Sequence, residues 1–269
     1  MRSVLSLVVI IVLFGSTGNG QTKYRSGIFL HHSTGSNIWG PNGSATSVPQ
    51  QIISYNTSHS FSGSNAVSLD ELGWPETPWD NEWERWHRIF YNMDTEDADI
   101  RPILAANKIV MIKSCFPSSD IEGMGSPADT LDWTAKTVFN YKWHWRKIIG
   151  EMKKHPKNFF VIWTNAPLVS TPKTSALLAD QFCRWAKDTL AIGLDVTFGS
   201  FPKNVYVFDF FHKIAGVNGK LSNKYAESNT DSHPNSVATS LVAPMLVREI
   251  FDAAIRYENS LTASLGRKK

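Results

Sequence analysis

The segment Gly27-Ile28-Phe29-Leu30-His31-His32-Ser33-Thr34-Gly35 joins a short apolar run to a turn that contains a hydroxyl and a glycine. The run from Gly27 to His31 predicts a buried β-strand. Three more runs have the same character: Lys108 to Lys113, Phe159 to Thr164 and Val205 to Asp209. Longer stretches separate these runs, so we expect an α/β fold, a three-layer α/β/α sandwich around a mainly parallel sheet.

Three of the intervening stretches carry apolar residues at the spacing of an amphipathic helix. They run from Val138 to Met152, from Leu177 to Leu190 and from Val237 to Phe251. Asn235 or Ser236 is available as the N-cap of the last one, because both side chains accept hydrogen bonds from a first helical turn. The three helices predict the outer layers of the sandwich.

The chain has 269 residues, of which 42% are hydrophobic and 19% charged. This composition provides a full hydrophobic core and excludes an intrinsically disordered chain. Lysine and arginine total 27 against 24 aspartate and glutamate, and the one basic run is Arg267-Lys268-Lys269. We therefore expect no nucleic-acid partner. Because no Ser-, Gly- or Pro-rich linker divides the chain, residues 21–269 are predicted to form one domain.

Residues 1–20 have the pattern of a secretory signal peptide. Arg2 precedes a largely apolar run from Val4 to Phe14, which is followed by small and polar residues up to Gly20. A membrane anchor is the alternative, but a spanning helix needs about 20 apolar residues. We expect cleavage after Gly20 and a secreted or periplasmic protein without a membrane partner. Export would permit Cys115 and Cys183 to pair, although their apolar surroundings also suit two buried thiols.

Polar side chains follow the predicted strands, where the ligand crevice of an open parallel sheet forms. Ser33 and Gly35 follow the first strand, and Asp231 and His233 lie just before the last helix. A hydroxyl, an imidazole and a carboxylate supply the nucleophile, base and orienting acid of acyl transfer. Asp209 is the competing carboxylate, but its position at a strand end suits an Asx-type turn. We therefore assign the orienting role to Asp231.

These residues resemble the conserved blocks of the SGNH/GDSL hydrolase superfamily. Phe29 to Gly35 is similar to the serine block, and Asp231-Ser232-His233-Pro234-Asn235 is similar to the acid–histidine block. Val161 to Pro167 is similar to the later central strand of the family. Two features depart from the pattern: His31-His32 replaces the usual Gly-Asp before the serine, and Asp-x-His replaces Asp-x-x-His. The resemblance implies a flavodoxin-like sandwich and an acyl-enzyme on Ser33, without a metal or cofactor.

The resemblance also implies three oxyanion donors. The first is the backbone of Ser33, and the second is Gly73 in Leu72-Gly73-Trp74-Pro75. The family's third block, Gly-x-Asn-Asp, would fall on Pro117-Ser118-Ser119-Asp120, where the donor asparagine is absent. Ser119 is its nearest substitute, because a hydroxyl can donate one hydrogen bond.

The segment from Gly73 to Tyr91 is dense in tryptophan. Trp83, Trp86 and Phe90 have helical spacing and are predicted to form a buried face. Trp74 and Trp79 lie in a proline-bracketed loop, where indole rings suit stacking on sugars. We expect four residues to contact the substrate: His32, Trp74, Trp79 and Asn165. The expected reaction is removal of O-acyl groups, such as acetyl, from a carbohydrate or another small ester.

One alternative function is disfavoured by the sequence, and two others remain open at this point. A metal hydrolase could draw ligands from five residues: His31, His32, Asp209, His212 and His233. However, neighbouring residues of a strand point to opposite faces of the sheet, and the sequence contains no known metal-binding motif. We therefore expect no metal. An O-acyltransferase would use the same serine with a sugar acceptor. A non-catalytic carbohydrate-binding protein would explain the missing asparagine.

Overall fold

The computed structural model describes residues 22–41, 43–76, 81–93 and 98–266. Their centre is a five-stranded sheet in the order β2-β1-β3-β4-β5, in which every pairing is parallel. The strands are β1 Ser26–His31, β2 Ser68–Gly73, β3 Ile109–Ile112, β4 Phe159–Trp163 and β5 Val205–Phe208. The four predicted strands are therefore confirmed to within one residue at each end. The predicted signal peptide, residues 1–20, lies outside the described residues.

Every residue of β3 and β4 is buried, as expected for central strands that helices cover on both faces. The fifth strand, β2, was not predicted from the sequence. Only Leu69 of its six residues is buried, and Asp70 and Glu71 are exposed. Such charges suit an edge strand, because they oppose pairing with another chain, but they remove the apolar run that marks a strand in a sequence.

Eight helices lie in the described part of the chain. They are α1 Thr34–Trp39, α2 Val48–Ser58, α3 Glu82–Phe90, α4 Arg101–Ala106, α5 Val138–Met152, α6 Lys173–Trp185, α7 Phe211–Ile214 and α8 Ser236–Gly266. One apolar core contains residues of α1, α2 and α8 on one side of the sheet. A second core contains residues of α3, α5 and α6 on the other side. The structure thus confirms the three-layer α/β/α sandwich.

The three predicted helices are present, with differences at their ends. The apolar face of α5 is fully buried, and the Thr137 side chain caps its start by accepting a hydrogen bond from the backbone of Asn140. α6 continues into a π-helical turn at Ala186–Leu190. Two residues assigned to buried faces, Leu177 and Val237, are exposed.

Both cysteines are buried free thiols. Cys115 follows β3, and Cys183 lies on the inner face of α6. The alternative of a disulfide is therefore wrong for this fold. Among the described helices, none is both long enough and apolar enough to cross a bilayer.

Candidate active site

The strand order changes direction around β1, which lies between β2 and β3. A ligand crevice forms outside the carboxyl ends of the strands at such a point. Ser33 follows β1 there with backbone angles φ 45° and ψ −101°. A residue with a side chain rarely adopts a positive φ, so this conformation is strained and must be held by its surroundings.

The turn around Ser33 is held by backbone hydrogen bonds and by close packing. The Gly35 N–H donates to the His32 carbonyl at 2.9 Å, and the Asn37 N–H donates to the Ser33 carbonyl at 3.1 Å. Gly35 is required because a Cβ at this position would lie 2.4 Å from the Cβ of His31. The glycine that the sequence analysis assigned to the turn therefore brings α1 against β1.

Ser33, His233 and Asp231 form a continuous hydrogen-bonded chain. Ser33 Oγ bonds to His233 Nε2, and His233 Nδ1 lies 2.6 Å from Asp231 Oδ1. An ionised carboxylate only accepts hydrogen bonds, so Nδ1 carries the proton and Nε2 presents a lone pair to the serine hydroxyl. The structure therefore brings together the three residues that the sequence analysis grouped, in the order that nucleophile, base and orienting acid require.

The acid–histidine loop is anchored at both ends. Asp231 Oδ1 also accepts the backbone N–H of His233 at 2.9 Å, and the His233 carbonyl accepts the N–H of Glu227 at 2.9 Å. Asn235 donates to the Ala226 carbonyl at 2.9 Å, while its Oδ1 accepts the N–H of Ala238 at 3.1 Å and so caps α8. The predicted capping role of Asn235 is thus confirmed.

Asp231 is half-exposed, with 49% of its side chain accessible, against 35% for His233. The backbone N–H of His233 and then its imidazole hold the pKa of Asp231 below the usual value for an aspartate, so its carboxylate stays ionised at neutral pH. The ring of Phe116 packs edge-on against His233 with centroids 4.7 Å apart. The sequence gives no sign of this contact, because the two residues are far apart in the chain.

Asp209 is engaged elsewhere. Its carboxylate lies 2.8 Å from His212 Nδ1 and 3.3 Å from Lys187 Nζ. His212 also contacts Asp180 at 3.1 Å. These partners belong to α6, α7 and the turn after α6, so the structure separates Asp209 from His233 and pairs the histidine with Asp231.

The three expected oxyanion donors lie in different settings. Within the described residues, no group accepts a hydrogen bond from the Ser33 backbone N–H. Gly73 ends β2 opposite His31, and a Cβ on it would lie 4.0 Å from His32 Nδ1. Ser119 is buried at the end of the 3-10 turn Phe116–Ser119, and no described group bonds to its hydroxyl. The Ser33 N–H and the buried Ser119 hydroxyl are therefore both without a hydrogen-bond partner among the described residues.

The four residues expected to contact substrate have different surroundings. His32 is half-buried, and its Nε2 bonds to the Pro75 carbonyl. Burial lowers the pKa of His32, so the ring is neutral. Trp74 is half-buried and packs on Trp86 at 5.7 Å, and Trp79 lies outside the described residues. Trp83, Trp86 and Phe90 form the buried face of α3, as predicted.

The expected role of Asn165 is wrong. Its side chain is completely buried, where Oδ1 accepts a hydrogen bond from Trp83 Nε1 at 2.9 Å and Nδ2 donates to the Ser118 carbonyl at 2.8 Å. Both polar groups of the amide are therefore used inside the protein. Asn165 ties the turn after β3 to α3 and has no free group for a substrate.

The residues considered as metal ligands do not converge. His31 Nε2 lies 2.9 Å from Glu71, His212 contacts Asp209 and Asp180, and His233 contacts Asp231. Among the described residues, no group of three or more His, Cys, Asp or Glu side chains could hold a metal ion.

The comparisons with known proteins are sparse. No family model and no curated protein matches the chain. A solved structure from Desulfitobacterium hafniense DCB-2, described as a candidate lipolytic protein of the G-D-S-L family, is similar to it at 11% identity, with a TM-score of 0.41. The similarity covers 83% of this chain and 98% of that one. A likeness at this level says nothing of the chemistry, which must be argued from the residues themselves.

Proposed function

We propose that this protein is a serine esterase that forms an acyl-enzyme on Ser33. The hydrogen-bonded chain from Ser33 through His233 to Asp231 carries the proposal. It joins two segments of the fold that are far apart in the chain, the turn after β1 and the loop before α8, so local structure alone does not explain it. The strained φ of Ser33 supports the same role, because strained residues concentrate at functional sites.

Acylation begins with attack of Ser33 Oγ on the ester carbonyl carbon. His233 Nε2 takes the hydroxyl proton, the carbonyl π electrons move to oxygen, and Asp231 stabilises the imidazolium that forms. The Ser33 N–H faces the developing oxyanion. When the tetrahedral intermediate collapses, the bond to the alcohol oxygen breaks and the His233 proton moves to that oxygen, which releases the alcohol.

Deacylation repeats these steps with water. His233 Nε2 removes a proton from the water as its oxygen attacks the acyl carbon, and the second tetrahedral intermediate expels Ser33 Oγ. The same proton returns to the serine, and the free acid leaves. A sugar hydroxyl in place of water would give acyl transfer, which uses the same residues and differs only in the acceptor.

We propose an acylated carbohydrate as the substrate class, with acetyl as the acyl group. Trp74 supports this choice, because it is only partly buried and lies directly after Gly73, where a Cβ would lie 4.0 Å from His32 Nδ1. Sugar rings stack on such indoles. Export through residues 1–20 would place the enzyme where such polymers are found, and N-terminal analysis of secreted protein should then find a mature chain that begins near Gln21.

Ser33→Ala tests the mechanism with p-nitrophenyl acetate and a fluorophosphonate probe. The wild type should turn over the ester and take up the probe, and Ser33→Ala should do neither while remaining folded. Ser240→Ala is the matched control, since Ser240 lies on the exposed side of α8 and its hydroxyl bonds to the Ser236 carbonyl. Turnover by Ser33→Ala would refute the serine mechanism, and a wild type without turnover would favour the non-catalytic binding protein.

A panel of acetylated oligosaccharides tests the substrate class. Mass spectrometry should detect loss of 42-dalton acetyl units, about one per ester cleaved. With unacetylated acceptors added, appearance of the acetyl group on the acceptor would assign the transferase reaction instead. Preference for long-chain p-nitrophenyl esters over every acetylated sugar would contradict the carbohydrate assignment and leave the esterase assignment intact.

A further inference from the structure

Two charged side chains are buried where β1 and β3 end. Lys113 directly follows β3 and is 3% exposed, and Glu82 begins α3 and is 4% exposed. Buried lysine and glutamate are rare, because removing a charge from water is costly unless it is paired. The acyl-transfer steps above assign no task to either residue, so their burial calls for another explanation.

Lys113 contacts the residue that precedes the nucleophile. Its Nζ donates to the His32 carbonyl oxygen at 3.1 Å and lies 3.0 Å from Cys115 Sγ. Glu82 supplies the balancing carboxylate, which accepts the backbone N–H of Cys115. Burial raises the pKa of Glu82 to about 7, and the nearby Lys113 opposes that rise. Both side chains therefore contact Cys115, beside the turn that carries Ser33.

The His32 carbonyl and the Ser33 N–H belong to one peptide unit. The Trp74–Pro75 bond is cis, whereas the His32–Ser33 bond is not among the cis peptides of the described chain. In a trans peptide the C=O and N–H point in opposite directions. The His32 oxygen accepts both Lys113 Nζ and the Gly35 N–H. Because these two bonds hold the His32 oxygen toward the protein interior, the Ser33 N–H points away from the interior. No described group accepts a hydrogen bond from it there.

A positive charge on a peptide oxygen also changes the strength of the N–H. Hydrogen bonds in a chain polarise one another, and bonds to charged groups are the strongest. The ammonium of Lys113 withdraws electron density from the His32 carbonyl, which makes the Ser33 N–H a better donor.

We propose that Lys113 is a positioning residue that orients and polarises the His32–Ser33 peptide, so that the Ser33 N–H becomes the principal oxyanion donor. The inference rests on the proposed esterase function. It also assigns a role to Glu82, which keeps the buried ammonium electrically balanced without touching the reacting atoms. Lys113 and Glu82 thus help to stabilise the transition state and leave ground-state binding of the ester largely unaffected.

Lys113→Met tests the proposal, because methionine keeps an unbranched side chain and removes the charge. We expect kcat for p-nitrophenyl acetate to fall about 10- to 100-fold, the range for losing a hydrogen bond to a charged group, with KM changed less than about threefold. A boronic acid inhibitor, which forms a tetrahedral adduct on the serine, should bind weaker by a similar factor. A merely structural role would not couple boronate affinity to kcat in this way.

Lys213→Met is the matched control, since Lys213 is also largely buried and pairs with Glu249 at 2.8 Å. It should keep wild-type kcat and boronate affinity. If Lys113→Met does not fold, the double variant Glu82→Gln/Lys113→Met removes both charges, and it should fold and show the same two losses.

Wild-type kcat and boronate affinity in a folded Lys113 variant would overturn the inference, and the serine mechanism would stand. Failure of both variants to fold would assign Lys113 to stability alone and equally overturn it. A wild-type protein without Ser33-dependent turnover would instead remove the proposed function on which the inference rests.

Discussion

Asp231→Asn is the sharpest test of which carboxylate orients His233. In the folded protein Asp231 Oδ1 accepts two hydrogen bonds, from His233 Nδ1 at 2.6 Å and from the His233 backbone N–H at 2.9 Å. Asparagine has a carbonyl oxygen that can take the same place and accept both bonds. The substitution therefore removes the negative charge while preserving the loop and the tautomer of the imidazole.

The expected magnitude follows from that geometry. Losing a hydrogen bond to a charged group costs about 10- to 150-fold in rate. In a buried serine triad the same change costs about 10⁴-fold, because the asparagine there selects the wrong tautomer. Asp231 is 49% exposed, so water screens its charge, and we expect a loss of about 10²-fold in kcat.

The assay is steady-state hydrolysis of p-nitrophenyl acetate, with circular dichroism and urea unfolding to confirm the fold. Asp231→Ala, which also removes the acceptor oxygen, should lose more activity than Asp231→Asn. Asp209→Asn is the control: it should keep kcat within about threefold and lose stability, because Asp209 bonds to His212 and Lys187. A folded, inactive Asp209→Asn beside a near-normal Asp231→Asn would show that the assignment is wrong.

Three further predictions concern Gly35, Ser119 and His144. Gly35→Ala should lower the free energy of unfolding by about 1–3 kcal/mol in urea titrations, because its Cβ would meet His31; unchanged stability would contradict the packing argument. Ser119→Ala should lower kcat less than the 10²-fold or greater loss of a principal oxyanion donor without reducing stability, as its hydroxyl bonds to no described group. Burial lowers the pKa of His144 from 6.5 to about 4, so the unfolded chain binds a proton that the folded chain does not, and stability falls as the pH drops through that window. His144→Gln should reduce that slope by about one proton in urea titrations at several pH values, and an unchanged slope would show that His144 is not the group responsible.

The central strands were predictable because a strand that is buried on both faces has a continuous run of apolar residues. β3 and β4 are apolar along their whole length, and the buried face of α5 repeats at helical spacing. Edge strand β2 was missed for the converse reason, since five of its six residues are exposed. An edge strand forms by pairing with its neighbour in the sheet. That pairing is not visible in the local sequence, because it joins residues more than forty positions apart, such as His31 and Gly73.

Part of the candidate site was predictable from the sequence, because the carboxyl ends of parallel strands lie at one edge of the sheet. That rule groups Ser33 with the loop of Asp231 and His233, which the hydrogen bonds then join. The same rule misplaced Asn165, which does follow β4. Its neighbours Trp83 and Ser118 take up both groups of its amide, and neither partner can be inferred from the residues beside it in the chain.

Lys113 shows why the remaining part of the site is invisible in the sequence. A lysine at the end of an apolar strand is ordinarily the point where the chain reaches solvent, and the sequence around Lys113 gives no sign to the contrary. The carboxylate whose charge acts on it is that of Glu82, which lies 31 positions earlier on α3 and accepts the N–H of Cys115. Neither charge would be stable there alone, because a single buried charge costs far more than a balanced pair. Prediction from the neighbouring residues fails at Lys113 because its burial involves a charge on a distant element of the chain. Such departures from sequence-based expectation concentrate at functional sites. The unexpected burial of Lys113 therefore supports a functional effect of this lysine on Ser33.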